Sequence, residues 1–205
     1  MLRPGTSCFS LMTIIRWSQI IRRGVQQAAQ SGAHFGFSAR MRVENGNEIC
    51  EMRPELPAGV LPDDTPLSAK TAAFSAGFWV CRDAFFQIGG IAPDQVNDKD
   101  TDLCCKLYAA GHVAWYEPTP GCAVRSGYEV NATTAPQLTQ STDPAEMLAC
   151  YVRTFQRHSA TFRARPADRW FLLRRALRVA ARTGVDAGAQ QLLRGLRPRS
   201  LQIKG

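Results

Sequence analysis

The sequence predicts an α/β chain: a mixed sheet flanked by helices, followed by a basic helical tail. Three observations carry that expectation. Strand-like runs at 74–81 and 113–116 alternate with helix-like runs at 82–88 and 100–110, the pattern of a layered α/β sandwich. The hydrophobic share is 45% and the charged share 20%, the balance of an ordinary globular chain able to bury a core. Charge is divided along the chain. Residues 1–150 hold 12 Lys+Arg against 15 Asp+Glu, and residues 151–205 hold 13 against 2. A mildly acidic body therefore carries a strongly basic tail, which points to an anionic surface as its partner.

The elements follow in order. Residues 1–19 carry no readable pattern and are unassigned. A helix is expected over 20–30, ended by Ser31-Gly32. The partly alternating run from Ala33 to Val43 reads as a strand. Asn45-Gly46 is a tight-turn signal, and Glu48 to Met52 returns as the second strand of a hairpin. Residues 53–70, rich in Pro, Asp and Ser, read as a surface loop.

Phe74 to Cys81 has the composition of a buried strand. Arg82 to Ile88 is a short helix closed by Gly89-Gly90. A polar loop over 91–99 leads to a helix over Asp100–Ala110, with acids in its first turn, Gly111 after its end, and Leu103, Leu107 and Ala110 on its buried face. Val113 to Tyr116 is a strand, expected to stop at Pro118. A second loop spans 127–145, and helices follow at about 144–158 and 168–182. In the last, Trp170, Leu173, Leu177 and Ala180 share an apolar side, and Arg174, Arg175, Arg178 and Arg182 a charged one. The resulting division is 1–19 unassigned, 20–130 a partial α/β domain and 131–205 a helical basic region.

Several classes are excluded or disfavoured. No stretch approaches the roughly 18 apolar residues of a spanning helix. The run Phe9–Ile15 is short, ends at Arg16 and lacks a cleavage-site pattern, so a cytoplasmic chain is expected, peripheral to a membrane at most. The seven cysteines are odd in number and contain no C-x-x-C pair, which fits reduced thiols better than a disulfide framework. Cys104, Cys105, His112 and Cys122 lack paired structural-zinc spacing and read as core residues and a strand edge. Trp79 and Trp115 read as core aromatics, a sugar-stacking platform being the sharper alternative. Nucleic-acid binding ranks low because no recognised motif accompanies the basic charge.

The informative stretch is 74–111. It reads Phe74-Ser75-Ala76-Gly77-Phe78-Trp79-Val80-Cys81-Arg82-Asp83-Ala84-Phe85, then Ile88-Gly89-Gly90, a loop, and Lys99-Asp100-Thr101-Asp102-Leu103-Cys104-Cys105-Lys106-Leu107, with Ala110-Gly111 closing the helix. This order resembles family 2 glycosyltransferases. They carry a strand with a small residue and Gly, an Arg-x-Ala-Phe helix, Gly-Gly, a loop, and Glu-Asp-x-Asp-Leu-Cys-x-Arg-Leu before Ala-Gly. The resemblance covers roughly residues 20–125 and rests on the motifs together.

What the resemblance implies is an incomplete GT-A-like, Rossmann-like fold, the acceptor-side half of an inverting transferase. Asp100 falls at the position of the general base, and Asp102 at that of a second acid that supports the loop. Gly77, Asp98 and Asp102 form the implied substrate-contacting set; Arg125, where the family often has His, is added to it as a positive group able to meet a phosphate, and Lys106 stands where the family has Arg. The implied partners are a nucleotide-sugar donor and a glycan or lipid-linked acceptor.

The chemistry accounts for these residue types. Inverting transfer needs one carboxylate beside the acceptor hydroxyl, and a helix start both fixes that carboxylate and favours its charged form.

Asp100-Thr101-Asp102 is not read as a metal site, because it opens a helix and does not end an apolar strand. The resemblance puts the Mg²⁺ or Mn²⁺ ligands in a donor half before residue 20. Residues 1–19 contain no acid, so no cofactor is assigned to this chain and little activity is expected from it alone. Lys99 replaces the family's Glu, which leaves Asp98 or Lys99 at that register, and Val124-Arg125-Ser126-Gly127 replaces a frequent His. Two alternatives remain: a non-catalytic remnant of such an enzyme, and a basic peripheral membrane-binding protein using 168–182.

Overall fold

The computed structural model describes residues 8–9, 19–44, 47–52, 56–73, 77–125, 143–165, 168 and 170–196. These fall into two compact units. A sheet unit takes the chain up to Gly90 together with 103–134. A helical unit takes 91–102 together with 135–205.

The sheet unit is a six-stranded mixed sheet. Its strands are β1 (Cys8–Phe9), β2 (Phe35–Glu44), β3 (Asn47–Glu51), β4 (Gly59–Val60), β5 (Trp79–Cys81) and β6 (Ala114–Arg125). The order is β1-β5-β2-β6-β4, with β3 paired to β2. β2 runs parallel to β6 and antiparallel to β3 and β5. The hairpin read around Asn45-Gly46 is present, with Glu44 opposite Asn47.

β2 is the central strand and is buried on both faces. Phe35, Phe37 and Ala39 pack on one side, where Phe37 meets Tyr116 at 5.6 Å between ring centroids. On the other side Gly36 faces Trp79. A Cβ there would come within 2.7 Å of the Trp115 carbonyl oxygen and 2.5 Å of the Trp79 ring, so only glycine fits. Helix α1 (Gln19–Gln30) supplies Ala28 to a cluster with Ala33 and Trp79, against which Val25, Cys81, Val113 and Trp115 pack. Trp79 is thus a core residue and offers no sugar platform.

Three readings of this unit need correction. Residues 53–70 are not all loop. β4 pairs with β6, and helix α2 (Leu67–Ala73) begins inside the segment. Composition hid the helix because, among the positions whose burial is described, it buries Leu67 together with the polar Lys70 and Thr71. Lys70 lies over the Tyr108 ring, 4.3 Å from its centroid, so its stem and charge both find cover.

β5 begins at Trp79, not at residue 74. Gly77 precedes it at φ +70°, outside the range of a strand; residues 74–76 lie outside the described residues.

β6 does not stop at Pro118. Ser38 pairs with Glu117 and Arg40 with Cys122, so a wide irregularity opposite Ala39 absorbs residues 118–121. Pro118 and Pro120, having no N–H to donate, fall in that bulge and cost the ladder nothing.

Helix α3 (Arg82–Gln87) follows β5 and ends at Gly89 and Gly90, at φ +71° and +62°. Helix α4 (Lys99–Ala109) joins the two units through the chain. Its buried residues include Leu103, Cys104, Cys105 and Leu107, whereas Ala110 lies exposed after the helix end. Lys106 Nζ donates to the Gly90 carbonyl oxygen at 2.7 Å, which satisfies an orphan acceptor beside the α3 terminus.

The helical unit holds α5 (Pro144–Arg157), α6 (Ser159–Ala164), α7 (Phe171–Thr183) and α8 (Ala187–Leu196). Asp143 caps α5 by accepting from Glu146 N, and Pro144 occupies the first turn. α5, α7 and α8 pack on one another through Leu148, Phe155, Leu172, Ala176 and Leu192. The expected face of α7 is wrong in two respects. Its buried residues are Phe171, Leu172, Leu173 and Ala176, while Trp170 and Leu177 are 42% and 52% exposed. Arg175 is turned inward, away from the charged row in which the sequence placed it. The reason is a buried acid, described next. Most of the loop expected over 127–145 lies outside the described residues.

Candidate functional site

The acid-rich segment 91–102 is held in the helical unit by two arginines from distant helices. Its backbone makes a sharp turn at Asp98, which sits at φ 55°. That left-handed conformation is tolerated by Asp better than by most residues. Asn97 Oδ1 accepts from Asp98 N at 2.6 Å and holds the turn. Gln95 anchors the segment to α5 by donating to the Cys150 carbonyl at 3.3 Å and to Thr154 Oγ1 at 3.1 Å.

Arg175 of α7 reaches into this turn. Its Nη2 donates to Asp98 Oδ1 at 2.6 Å and its Nη1 to Thr101 Oγ1 at 2.7 Å, while the Thr101 hydroxyl donates to Asp98 Oδ1 at 2.7 Å. The guanidinium also lies 5.0 Å from the Tyr151 ring centroid and 5.6 Å from that of Phe171. Asp98 Oδ2 is buried with no hydrogen-bond partner among the described residues. Burial outweighs the Arg175 charge and pushes the Asp98 carboxyl up to about 6, with the nearby Asp100 charge adding to the rise.

Asp102, one turn further on, has the opposite balance. Its side chain is 1% exposed. Arg157 Nη1 donates to Oδ1 at 2.5 Å, and His158 Nε2 lies 3.0 Å from the same oxygen. Burial alone would raise this carboxyl, but the hydrogen bonds from His158 and Arg157 and the Arg157 charge hold it below the usual carboxylate range. Arg157 Nη2 also reaches Asp94, at 2.8 and 3.0 Å. The Asp94 carboxylate is half exposed, so this second pair adds little.

Asp100 is different from both neighbours. It occupies the first turn of α4, is only partly buried, and makes no ion pair among the described residues. Among the described residues it accepts one hydrogen bond, from the adjacent Thr101 N. A carboxylate that takes a proton from a bound hydroxyl has to reach it. Asp98 and Asp102 are buried and ion-paired, whereas Asp100 is half-buried, has no ion pair among the described residues and sits at the positive end of a helix.

The helical unit therefore brings together Asp98, Asp100 and Asp102. Gly77 belongs to the sheet unit, where its φ of +70° and the close approach of Ser38 demand a glycine; an added Cβ would lie 2.1 Å from Ser38 Oγ. Arg125 closes β6 opposite Val43, and its side chain lies outside the described residues. Cys104, Cys105 and Cys122 are buried core thiols. Among the described residues no cluster of three His, Cys, Asp or Glu is placed to hold a metal ion.

Arg157, His158 and Arg175 were missed by sequence reasoning. Their partners lie 55 to 77 residues away, and the one available signal was the excess of acids over bases in 91–102. Compared with known proteins, the chain matches no family model, no curated protein and no solved structure.

Proposed function

We propose that the chain is the acceptor-side portion of an inverting, nucleotide-sugar-dependent glycosyltransferase with Asp100 as its general base. The observation that carries this reading is the separation of roles among three neighbouring carboxylates. Two are paired with guanidinium groups of the helical unit, and the third is half-buried on a helix start with no ion pair among the described residues. In the proposed step the acceptor hydroxyl loses its proton to Asp100 as its oxygen bonds to the anomeric carbon. The bond from that carbon to the nucleotide diphosphate breaks on the opposite face, and the diphosphate leaves with the electron pair. Asp98 and Asp102 act as positioning residues, because they fix the turn from which Asp100 projects. The donor is a nucleotide sugar, and the acceptor a glycan or lipid-linked glycan.

The Asp100→Asn variant tests the assignment. Whatever acceptor-dependent nucleotide release the chain shows from a panel of nucleotide sugars, with Mn²⁺ and mixed acceptors, is expected to fall to background in this variant. Stability should change by no more than about 0.5 kcal/mol, the worth of one acid in an exposed first turn. Undiminished release in Asp100→Asn removes Asp100 from the chemistry. Absence of acceptor-dependent release from the unaltered chain, with no amide shifts at residues 98–103 on adding acceptor glycans, removes the transferase reading altogether.

A further inference from the structure

The solvent face of α7 has a composition unlike that of an ordinary wet helix. Trp170, just before the helix, and Leu177 are 42% and 52% exposed. Ala181 is exposed beside them, and Arg174, Arg178 and Arg182 form an exposed row one step around. At about 100° per residue, positions 170, 177 and 181 fall within about 40° of one another. The three arginines follow at a spacing of four, on the adjoining strip. None of these three guanidinium groups has a carboxylate partner among the described residues. The tail as a whole holds 13 Lys+Arg and 2 Asp+Glu. The fourth arginine of the helix, Arg175, is withdrawn to Asp98, so the exposed set is sorted from the structural one.

We propose that this face seats on an anionic lipid surface, with Trp170 and Leu177 entering the headgroup boundary and Arg174, Arg178 and Arg182 meeting lipid phosphates. The partner is chosen by chemistry. Guanidinium groups alone would suit any polyanion, but an exposed Trp and Leu contiguous with them gain nothing from a phosphate backbone in water. They do gain from the apolar boundary beneath lipid headgroups. No helix among the described residues is long and apolar enough to cross a membrane, so the contact is one of lying on the surface. This inference does not depend on the sugar-transfer reading.

Sedimentation of the full chain with vesicles decides it. With vesicles containing about a third phosphatidylserine, the chain is expected to co-sediment at about 0.05 M salt and to release at about 0.5 M, where screening shortens the reach of the charges. Arg174→Gln, Arg178→Gln and Arg182→Gln together should weaken partitioning roughly a hundredfold. Trp170→Ala with Leu177→Ala should weaken it roughly tenfold or more while leaving the salt response in place. All five residues are exposed, and circular dichroism checks that the variants keep their fold. A blue shift of Trp170 fluorescence on adding vesicles, lost in Trp170→Phe, reports insertion directly.

Four results overturn the proposal: no sedimentation at low salt, equal binding to pure phosphatidylcholine, unchanged binding in the triple variant, or unchanged binding in the Trp170/Leu177 pair. Binding to a duplex oligonucleotide without binding to vesicles also overturns it, and assigns the arginines to nucleic acid.

Discussion

Replacing Arg175 by methionine is expected to lower the unfolding free energy by about 2 kcal/mol at about pH 7.5, because without its cation the buried Asp98 carboxyl has to keep its proton where the parent has released it. Methionine keeps much of the packing on Tyr151 and Phe171, so the loss reports mainly the charge. The pH dependence separates the two. Asp98 already binds its proton more tightly folded than unfolded, at about 6 against 3.8. Its favourable contribution is therefore full below about 3.8 and is lost as pH rises through about 6. Without Arg175 the folded value rises further. The penalty of the variant should be small at about pH 4.5, where the carboxyl is neutral with or without the arginine, and should grow to its full size by about pH 7.5.

Asp102 behaves with the opposite sign. Its folded value lies below 3.8, so its contribution is present above that pH and is lost only as pH falls below it. Urea unfolding of both proteins across pH 4 to 8 makes the comparison. A penalty equal at both ends of the range would assign the loss to packing on the two rings. A penalty under about 1 kcal/mol at the upper end would mean that Asp98 finds water once the arginine is gone.

Gly77→Ala is expected to cost about 3 kcal/mol. Part of this is the left-handed backbone, φ +70°, at which a Cβ is strained by about 1 kcal/mol. The rest is overpacking: the new Cβ would lie 2.1 Å from Ser38 Oγ, 3.3 Å from Ser38 Cβ and 3.4 Å from Ser38 N. Ser38 is itself buried, and its hydroxyl has no partner among the described residues. Ser38→Ala alone should be neutral or slightly stabilising, since it removes an unsatisfied buried oxygen. Combined with Gly77→Ala it should recover the hydroxyl clash and leave the backbone strain and the tight Cβ contact. Chemical unfolding of the two single variants and the pair tests this double cycle. A Gly77→Ala protein as stable as the parent would show that the entry to β5 is not tight. The motif glycine that the sequence associates with substrate approach thus has a sufficient internal reason to be glycine.

The parts of the fold legible in the sequence are those with strong local signals. Asn45-Gly46 announced the β2–β3 hairpin and Gly89-Gly90 the end of α3. Each is a backbone preference acting within a few residues. The elements that were missed are those whose local signal points the wrong way. Pro118 reads as a strand terminator, and only the bulge opposite Ala39 makes it harmless. The segment before α2 reads as loop because its helix, among the positions whose burial is described, buries a lysine and a threonine beside one leucine.

At the candidate site the resemblance carried by the 74–111 motifs marked Asp98, Asp100 and Asp102, but said nothing of their separate environments. Three carboxylates within five residues look alike in a sequence. Tertiary structure separates them by bringing Arg175 to one and Arg157 with His158 to another, across gaps of 55 to 77 residues. The same long-range pairing decided the face of α7. Periodicity placed Leu173 with Trp170 and Leu177, and Arg175 with the other arginines. Burial of Asp98 drew Arg175 inward, because a charge removed from water has to be met by another or lose its own. Leu173 turned inward with it, into the helical core, leaving Trp170 and Leu177 outside. Amphipathic spacing determines that a helix has two faces; which residues at their boundary are buried is decided by the groups packed against them.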